Sequence, residues 1–184
     1  MRESRRTTAR QSSPSLLHYT YLETPIGVLL IAGDDEAVCR VRFPKHGRPS
    51  RPETGWVESH RGPVAEAARQ LSEYFAGQRI EFDLPLNPGG TAFQRTVWRH
   101  LRDIPYGETI SYGELATRVG NPKASRAVGG ANGANQIAIV IPCHRVIGSN
   151  GTLTGFGGGL PVKEKLLTLE ASVRQSAVHR AFAG

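Results

Sequence analysis

The chain has 184 residues, of which 23 are lysine or arginine and 16 are aspartate or glutamate, so its net charge is +7 at pH 7. This length accommodates one domain or two small ones. No apolar run approaches the roughly 20 residues that a membrane-spanning helix needs. We therefore expect no membrane partner, and the excess positive charge favours a polyanion, of which nucleic acid is the commonest.

The first 16 residues and the two cysteines limit where the protein works. Residues 1–16 are basic and polar and lack the apolar core of a secretory signal, so we predict a disordered tail. Two cysteines, Cys39 and Cys143, are too few for a disulfide framework or a four-cysteine zinc site. Cys39 lies between valines in a strand-like segment and is interpreted as a buried structural thiol. We expect a cytoplasmic protein without a bound metal.

Residues 17–88 have the pattern of a small α/β domain. Three strand-like segments lie between positions 18 and 43, separated by glycine, proline and aspartate, and predict an antiparallel meander. Apolar residues at helical spacing over 64–75 predict a helix that stops near Gly77. A short strand and a linker are expected in "EFDLPLNPGG", where the proline and two glycines at 88–90 indicate a domain boundary.

The second half, residues 89–172, is predicted to be mainly helical. Thr91 with Gln94, and Ser111 with Glu114, have the spacing of capping boxes that open helices. Pro122 is suited to start a further helix, and Pro161 to start the last one. Residues 173–184 are interpreted as a second tail.

Residues 111–134 have the outline of a helix-turn-helix. Lys123 and Arg126 lie at the start of its second helix, where phosphates or bases would be met. This helix is rich in glycine, which costs a helix about 1 kcal/mol per residue relative to alanine. Close approach to a narrow partner such as the DNA minor groove would compensate for that cost, whereas the alternative is helix packing through small residues. The positive charge favours DNA.

The stretch "IPCHRVIG", residues 141–148, places Cys143 directly before His144. A catalytic thiol must become a thiolate, and a histidine oriented by a carboxylate is the usual base. Neighbouring side chains in a strand point apart, which leaves a direct Cys–His bond or a bridging water as alternatives. Glu170 and Glu164 are both candidate orienting carboxylates, and spacing does not choose between them. A buried cysteine beside a surface histidine is the non-catalytic alternative.

Together, "SYGELA", "GNPKASRAVGGANGAN", "IPCHRVIG" and "GGLPVKEKLLTLE" resemble the motifs of the DNA repair O6-alkylguanine-DNA alkyltransferases, also called methylated-DNA–protein-cysteine methyltransferases. The resemblance is close over residues 91–170 and holds in pattern only before them. It implies a ribonuclease H-like α/β N-terminal domain, with a small antiparallel sheet and a helix, followed by a mainly α domain with a helix-turn-helix. It further implies a monomer that binds the minor groove of double-stranded DNA carrying O6-alkylguanine. No cofactor is expected, because the DNA itself donates the alkyl group.

The resemblance also implies roles for individual residues. Cys143 would accept the alkyl group, His144 would act as a water-assisted base oriented by Glu170, and Tyr112 would protonate the leaving base. Arg126 would enter the base stack as the guanine flips out. The rest of the predicted DNA surface comprises Lys123, Ala127, Gly130 and Ala131. The predicted substrate pocket comprises Asn135, Val146, Phe156, Gly157 and Gly158, and the family often has a tyrosine where Phe156 stands.

Three other functions compete with this interpretation. A non-catalytic lesion-binding relative would lack the acceptor cysteine, which is present here. A helix-turn-helix regulator with an inert cysteine would bind undamaged DNA by sequence, and a cysteine hydrolase would turn over many times. The sequence leaves open which alkyl groups fit and whether O4-alkylthymine is also a substrate.

Overall fold

We describe residues 16–182 from a computed structural model, with side chains through residue 179. The predicted basic tail therefore lies almost entirely outside the described residues. The N-terminal domain is built on a four-stranded sheet in the order β3-β2-β1-β4. Its strands are β1 His18–Leu22, β2 Leu29–Gly33, β3 Val38–Arg42 and β4 Val57–Glu58. The predicted antiparallel meander of β1 to β3 is confirmed, but β4 pairs parallel with β1 and makes the sheet mixed. A two-residue strand is too short to produce a sequence pattern.

Helix α1, Gly62–Phe75, packs its apolar stripe against this sheet. Val64, Leu71 and Tyr74 are buried on that face, and Gly77 follows the helix end with a left-handed φ of 70°. The short strand expected in "EFDLPLNPGG" is reduced to a single bridge, since the segment is otherwise irregular and only Leu86 pairs, parallel, with Val38 of β3. The Gln70 side chain instead anchors this segment through a reciprocal pair of hydrogen bonds to the Asp83 backbone.

The C-terminal domain begins with three helices joined by short turns. They are α2 Ala92–Arg102, α3 Tyr112–Arg118 and α4 Ser125–Gly133. Both predicted capping boxes are confirmed at the starts of α2 and α3, so the polar caps satisfy N–H groups that helix ends leave free. The helix expected at Pro122 begins later, because residues 121–124 form a hydrogen-bonded turn first.

The reactive motif lies between a short parallel strand pair and the last helix. Strand β5, Ile110–Ser111, pairs with β6, Val146–Ile147. Helix α5 spans Leu160–Phe182 without interruption. The helix continues through residue 182 into the segment predicted as a tail, although the apolar pattern of the sequence fades there.

One hydrophobic core runs through both domains. It includes Leu71 and Tyr74 of the first half with Val97, Leu101 and Leu166 of the second. The backbone of β3 also bonds the second half directly, because the Val41 N–H donates to the Gln136 carbonyl at 2.9 Å. The N-terminal domain thus lies directly against the reactive motif. None of the helices in the described part of the chain is both long and apolar enough to cross a membrane.

Candidate active site and DNA-binding surface

Cys143 lies in a single turn of 3-10 helix, Cys143–Arg145, and not in a strand. The apolar run before it is irregular. Ile139 adopts a left-handed φ of 72°, and the Ile141 backbone N–H donates to the Ile137 carbonyl in a tight turn. The thiol is buried, with 6% of Cys143 exposed. The strand geometry assumed for Cys143 and His144 is therefore wrong, and the two residues follow one another around a tight turn.

His144 is fully buried and is oriented by Glu170. Its Nε2 lies 2.8 Å from Glu170 Oε1, and both side chains have no exposed surface. Glu164, the competing carboxylate, lies on the exposed face of α5. The geometry therefore selects Glu170, six residues further along the same helix.

Glu170 accepts hydrogen bonds from three further parts of the chain. Tyr74 Oη of α1 donates at 2.8 Å, the Gly107 backbone N–H at 3.0 Å and Arg145 Nε at 2.9 Å. Burial by itself raises the pKa of this carboxyl, but the bonds and charges of His144 and Arg145 outweigh burial and lower its pKa to about 2. Glu170 is therefore an ionised acceptor at neutral pH.

This ionised acceptor fixes the tautomer of His144. A carboxylate can only accept, so Nε2 carries the ring proton and Nδ1 is left as an acceptor. Nδ1 is buried and has no hydrogen-bond partner in residues 16–182, which excludes a direct bond to the Cys143 thiol. Burial, together with the charges of Arg145 and Lys163, lowers the pKa of His144 against the opposing effect of Glu170, so the ring stays neutral and can accept a proton.

The surroundings of Cys143 affect the pKa of its thiol in opposite directions. Burial raises the pKa of Cys143, and the nearby Asn135 amide and Lys163 ammonium oppose that shift. Lys163 is completely buried, and its Nζ donates to the Val146 carbonyl at 2.6 Å and to the Thr154 carbonyl at 2.9 Å. A buried cation beside the sulfur favours the thiolate once it forms.

A cavity of about 340 Å³ opens beside Cys143. Asn135, Phe156 and Gly157 line it, as the sequence predicted, and Phe43 of the N-terminal domain closes the far side with its ring centroid 5.2 Å from that of Phe156. Asn135 also bridges the reactive turn, because its Nδ2 donates to the Ile141 carbonyl and its Oδ1 accepts from the Ile137 N–H.

The remaining predicted pocket residues lie behind this lining. Gly158 supports it, since a Cβ there would come within 3.0 Å of the Phe43 ring. The Val146 side chain is fully buried, and the carbonyl of Val146 is already bonded to Lys163. Tyr112 is the first residue of α3, and its ring lies beside Gly129 of α4, outside the lining of the cavity.

The predicted DNA surface is largely one face of α4 and the turn before it. Lys123, Arg126, Ala127 and Gly130 are all exposed. A Cβ on Gly130 would meet nothing within 4 Å, so packing inside the protein does not require a glycine there. Gly133 continues this exposed face and was not predicted.

Ala131 does not belong to this surface. It is 3% exposed, and its carbonyl accepts the indole N–H of Trp98 at 2.8 Å. Its position three residues after the buried Val128 places it on the core face of α4. The prediction that Ala131 contacts DNA is therefore wrong for its side chain.

Several residues of the site escaped the sequence analysis. Tyr74 and Phe43 lie about 100 residues before the groups they contact, and only the packing of the two domains brings them there. Arg145 and Lys163 lie inside motifs that were recognised, but their burial has no signal in the sequence. Within residues 16–182, no group of three or more His, Cys, Asp or Glu side chains is arranged to hold a metal ion.

A buried thiol, imidazole and carboxylate beside a helix-turn-helix define a DNA-binding protein with a cysteine-centred reaction site. Comparison with known families agrees. Residues 17–88 match the family described as "6-O-methylguanine DNA methyltransferase, ribonuclease-like domain", and residues 92–172 match "6-O-methylguanine DNA methyltransferase, DNA binding domain". The chain belongs to the 6-O-methylguanine DNA methyltransferase family.

Individual relatives extend the likeness over most of the chain. It is 53% identical over 156 residues to a methylated-DNA–protein-cysteine methyltransferase of Methanosarcina acetivorans, covering 85% of this chain and 99% of that protein. A protein of the same name from Mycolicibacterium paratuberculosis is also 53% identical, over 84% of this chain and 93% of its own. The crystal structure of Mycobacterium tuberculosis OGT in complex with DNA is 48% identical, has a TM-score of 0.78, and covers 85% of this chain and 94% of its own.

Proposed function

We propose that this protein repairs DNA by transferring the alkyl group of O6-alkylguanine irreversibly to Cys143, once per molecule. The observation that carries the proposal is the buried Cys143 thiol next to His144, whose ring is held by Glu170 at 2.8 Å beside a helix-turn-helix. The family and its named relatives support the same activity.

The chemistry needs one proton moved before and one after the displacement. The Cys143 thiol gives its proton through a water molecule to Nδ1 of His144, the one ring nitrogen that remains an acceptor. The thiolate sulfur then forms a bond to the alkyl carbon as the bond from that carbon to O6 breaks. The electron pair leaves with the guanine, which takes a proton from the Tyr112 hydroxyl. The proton on His144 replaces it by way of solvent, so the products are guanine and an S-alkylcysteine.

The DNA would be held by the outer face of α4. Arg126 would fill the gap in the base stack when the guanine turns out of the duplex, since the reacting carbon is otherwise inaccessible. Ala127 and Gly130 present no bulk on the same face, which suits entry into the narrow minor groove. Tyr112 lies against this helix and would meet the base near the point where it leaves the stack.

The cavity beside Cys143 would receive the flipped base. Phe156 offers a phenyl ring for stacking, and the carbonyls of Cys143 and Val146 would accept from the guanine amine. The Val146 carbonyl accepts from Lys163 and retains a second lone pair. The Cys143 carbonyl already accepts from the Asn132 amide and from the Val146 backbone N–H, so the guanine amine would have to share or replace one of these bonds there. The site lies in a protein that acts on the chromosome, and a reducing cytoplasm would keep Cys143 as a free thiol.

The test is the intact mass of the protein after mixing with a duplex that carries one O6-methylguanine, followed by peptide mapping. A single added methyl group on Cys143, never more than one per chain, is the expected result. An unchanged mass despite tight binding to the lesion would favour the lesion-binding alternative. Binding that depends on sequence in undamaged DNA would favour a regulator. A duplex with O4-methylthymine, measured in parallel, defines the substrate range.

A further inference from the structure

The N-terminal domain contributes a hydroxyl group to the buried network of the reaction site. Tyr74 is the penultimate residue of α1, is completely buried, and donates from Oη to Glu170 Oε1 at 2.8 Å across 96 residues of sequence. Its ring is held by aromatic neighbours, with the centroids of Phe75, Phe82 and Tyr106 between 5.3 and 5.9 Å away. The hydroxyl group is therefore held in place by packing that does not depend on Glu170.

Tyr74 and His144 share one oxygen atom of the carboxylate. Glu170 Oε1 accepts from Tyr74 Oη and from His144 Nε2, both at 2.8 Å, and from one Arg145 nitrogen at 3.0 Å. A donor on this oxygen withdraws electron density from it and weakens its pull on the other protons it accepts. The strength of the His144–Glu170 interaction is thus set partly by a residue of the other domain.

We propose that Tyr74 is a positioning residue supplied by the N-terminal domain, which fixes the Glu170 carboxylate and limits how strongly it attracts the Nε2 proton of His144. The inference rests on the proposed function, because it matters only if His144 accepts the thiol proton. It gives the N-terminal domain a role in the chemistry, in addition to the Phe43 side chain with which that domain lines the pocket.

The other charged and titratable groups around His144 are accounted for. Arg145 and Glu170 face it directly, Lys163 approaches from α5, and the Cys143 thiol adjoins it in the same turn. From the N-terminal domain only Tyr74 bonds Glu170 among the described residues. The backbone N–H of Gly107, in the turn after α2, also donates to Glu170, but to the other carboxylate oxygen, Oε2.

The first test compares Tyr74→Phe with Tyr106→Phe. Both changes delete a hydroxyl from the same aromatic cluster and keep the ring, but the Tyr106 hydroxyl has no partner in residues 16–182. The rate of methyl uptake from O6-methylguanine, both as the free base and in a duplex, is measured from pH 4.5 to 9. Without the Tyr74 hydroxyl, Glu170 stabilises protonated His144 more strongly, so the acid-side midpoint of the Tyr74→Phe profile should rise by about half a pH unit.

A merely structural role would lower the active fraction without moving that midpoint. Tyr106→Phe should give the wild-type profile, and coincident profiles for all three proteins would overturn the proposal. A second variant keeps the test valid if Tyr74→Phe misfolds. 3-Fluorotyrosine at position 74 keeps the hydrogen bond to Glu170 and makes the hydroxyl a stronger donor, so the acid-side midpoint of this variant should fall below that of the wild type. A midpoint unchanged or raised in that variant would also overturn the proposal. If the wild-type protein itself takes up no methyl group, the proposed function fails instead, and the two failures are distinguishable.

Discussion

The buried reaction site and the outer face of α4 differ in how far the protein satisfies its own polar groups. Glu170 accepts bonds from Tyr74, Gly107, His144 and Arg145, all within the described fold. On α4 the reverse holds, since Arg126 makes no ion pair within residues 16–182 and the helix start at Ala124 has no side-chain cap. The Glu170 carboxylate is fully paired before any partner arrives, whereas the exposed arginine of α4 remains available to one.

This difference has energetic consequences. Groups in a saturated, buried network have no alternative partners, so removing one of them leaves others unpaired at a cost of a few kcal/mol. Exposed cations and glycines on α4 cost the folded protein little when they are changed, because water already surrounds them. Changes in the network should therefore affect folding and chemistry together, while changes on α4 should affect only DNA.

Cys143→Ser should have the largest effect, because it removes the acceptor without disturbing either region. Serine has a similar size, but its hydroxyl is far harder to ionise than a thiol, so methyl uptake should fall below detection. Affinity for a duplex with O6-methylguanine should be retained. Intact mass and a binding titration on the same preparation check both results, with Cys39→Ser as the control that still gains one methyl group. Loss of binding in Cys143→Ser would contradict the separation of the two regions.

Glu170→Gln should both unfold the protein more easily and slow the transfer. The amide cannot balance the Arg145 charge, and an uncompensated buried charge costs roughly 3–5 kcal/mol. The free energy of unfolding from urea denaturation checks this value. Glu164→Gln on the exposed face of the same helix is the matched control and should change stability by less than about 0.5 kcal/mol. Equal losses in both variants would show that Glu170 has no special place in the fold.

The same network predicts how stability depends on pH. The folded pKa of Glu170, about 2, lies below its ordinary value, so its contribution is fully present above about pH 4.5 and is lost as the pH falls toward 2. His144 has a lowered folded pKa as well, so its preference for the neutral form destabilises the fold as the pH falls below 6.5. Stability should therefore decline from pH 6.5 downward and more steeply below 4.5. Thermal melts over this range check it, and a midpoint that rises on acidification would contradict it.

Arg126→Ala should leave stability unchanged and slow repair only in a duplex. Filling the stack offsets part of the few kcal/mol needed to flip a base, so the duplex rate should fall by on the order of tenfold or more, and the rate with the free base should not change. Arg99→Ala, which removes an exposed arginine from α2, controls for the lost positive charge. Equal slowing with duplex and free base would remove Arg126 from base flipping.

The sequence predicted local features well and long-range contacts poorly. The meander and both capping boxes depend on residues close in the chain, so their patterns were visible and are confirmed. The choice between Glu164 and Glu170 could not be made from spacing, because both lie in one helix whose rotation depends on packing. The partners Tyr74 and Phe43 depend on the docking of two domains, which no local pattern encodes. The strand geometry expected around Cys143 was wrong because of the turn at Ile139. The left-handed conformation of Ile139 is imposed by its surroundings and not by its residue type.

Arg174→Ala should have the smallest effect, although the side chain is only one step from the carboxylate. Its guanidinium pairs with Glu108 at 2.9 Å and reaches the carbonyl of Gly107, whose N–H bonds Glu170. Both members of the ion pair are about half exposed, so the pair is screened and should contribute less than about 1 kcal/mol. The Gly107 N–H bond persists without it, and the methyl transfer rate should stay within about twofold of the wild type. A double-mutant cycle with Glu108→Ala, read by urea denaturation and methyl uptake, isolates the pair. A loss comparable to that of Glu170→Gln would mean that the final turns of α5, beyond residue 172, belong to the buried network and not to the exposed surface.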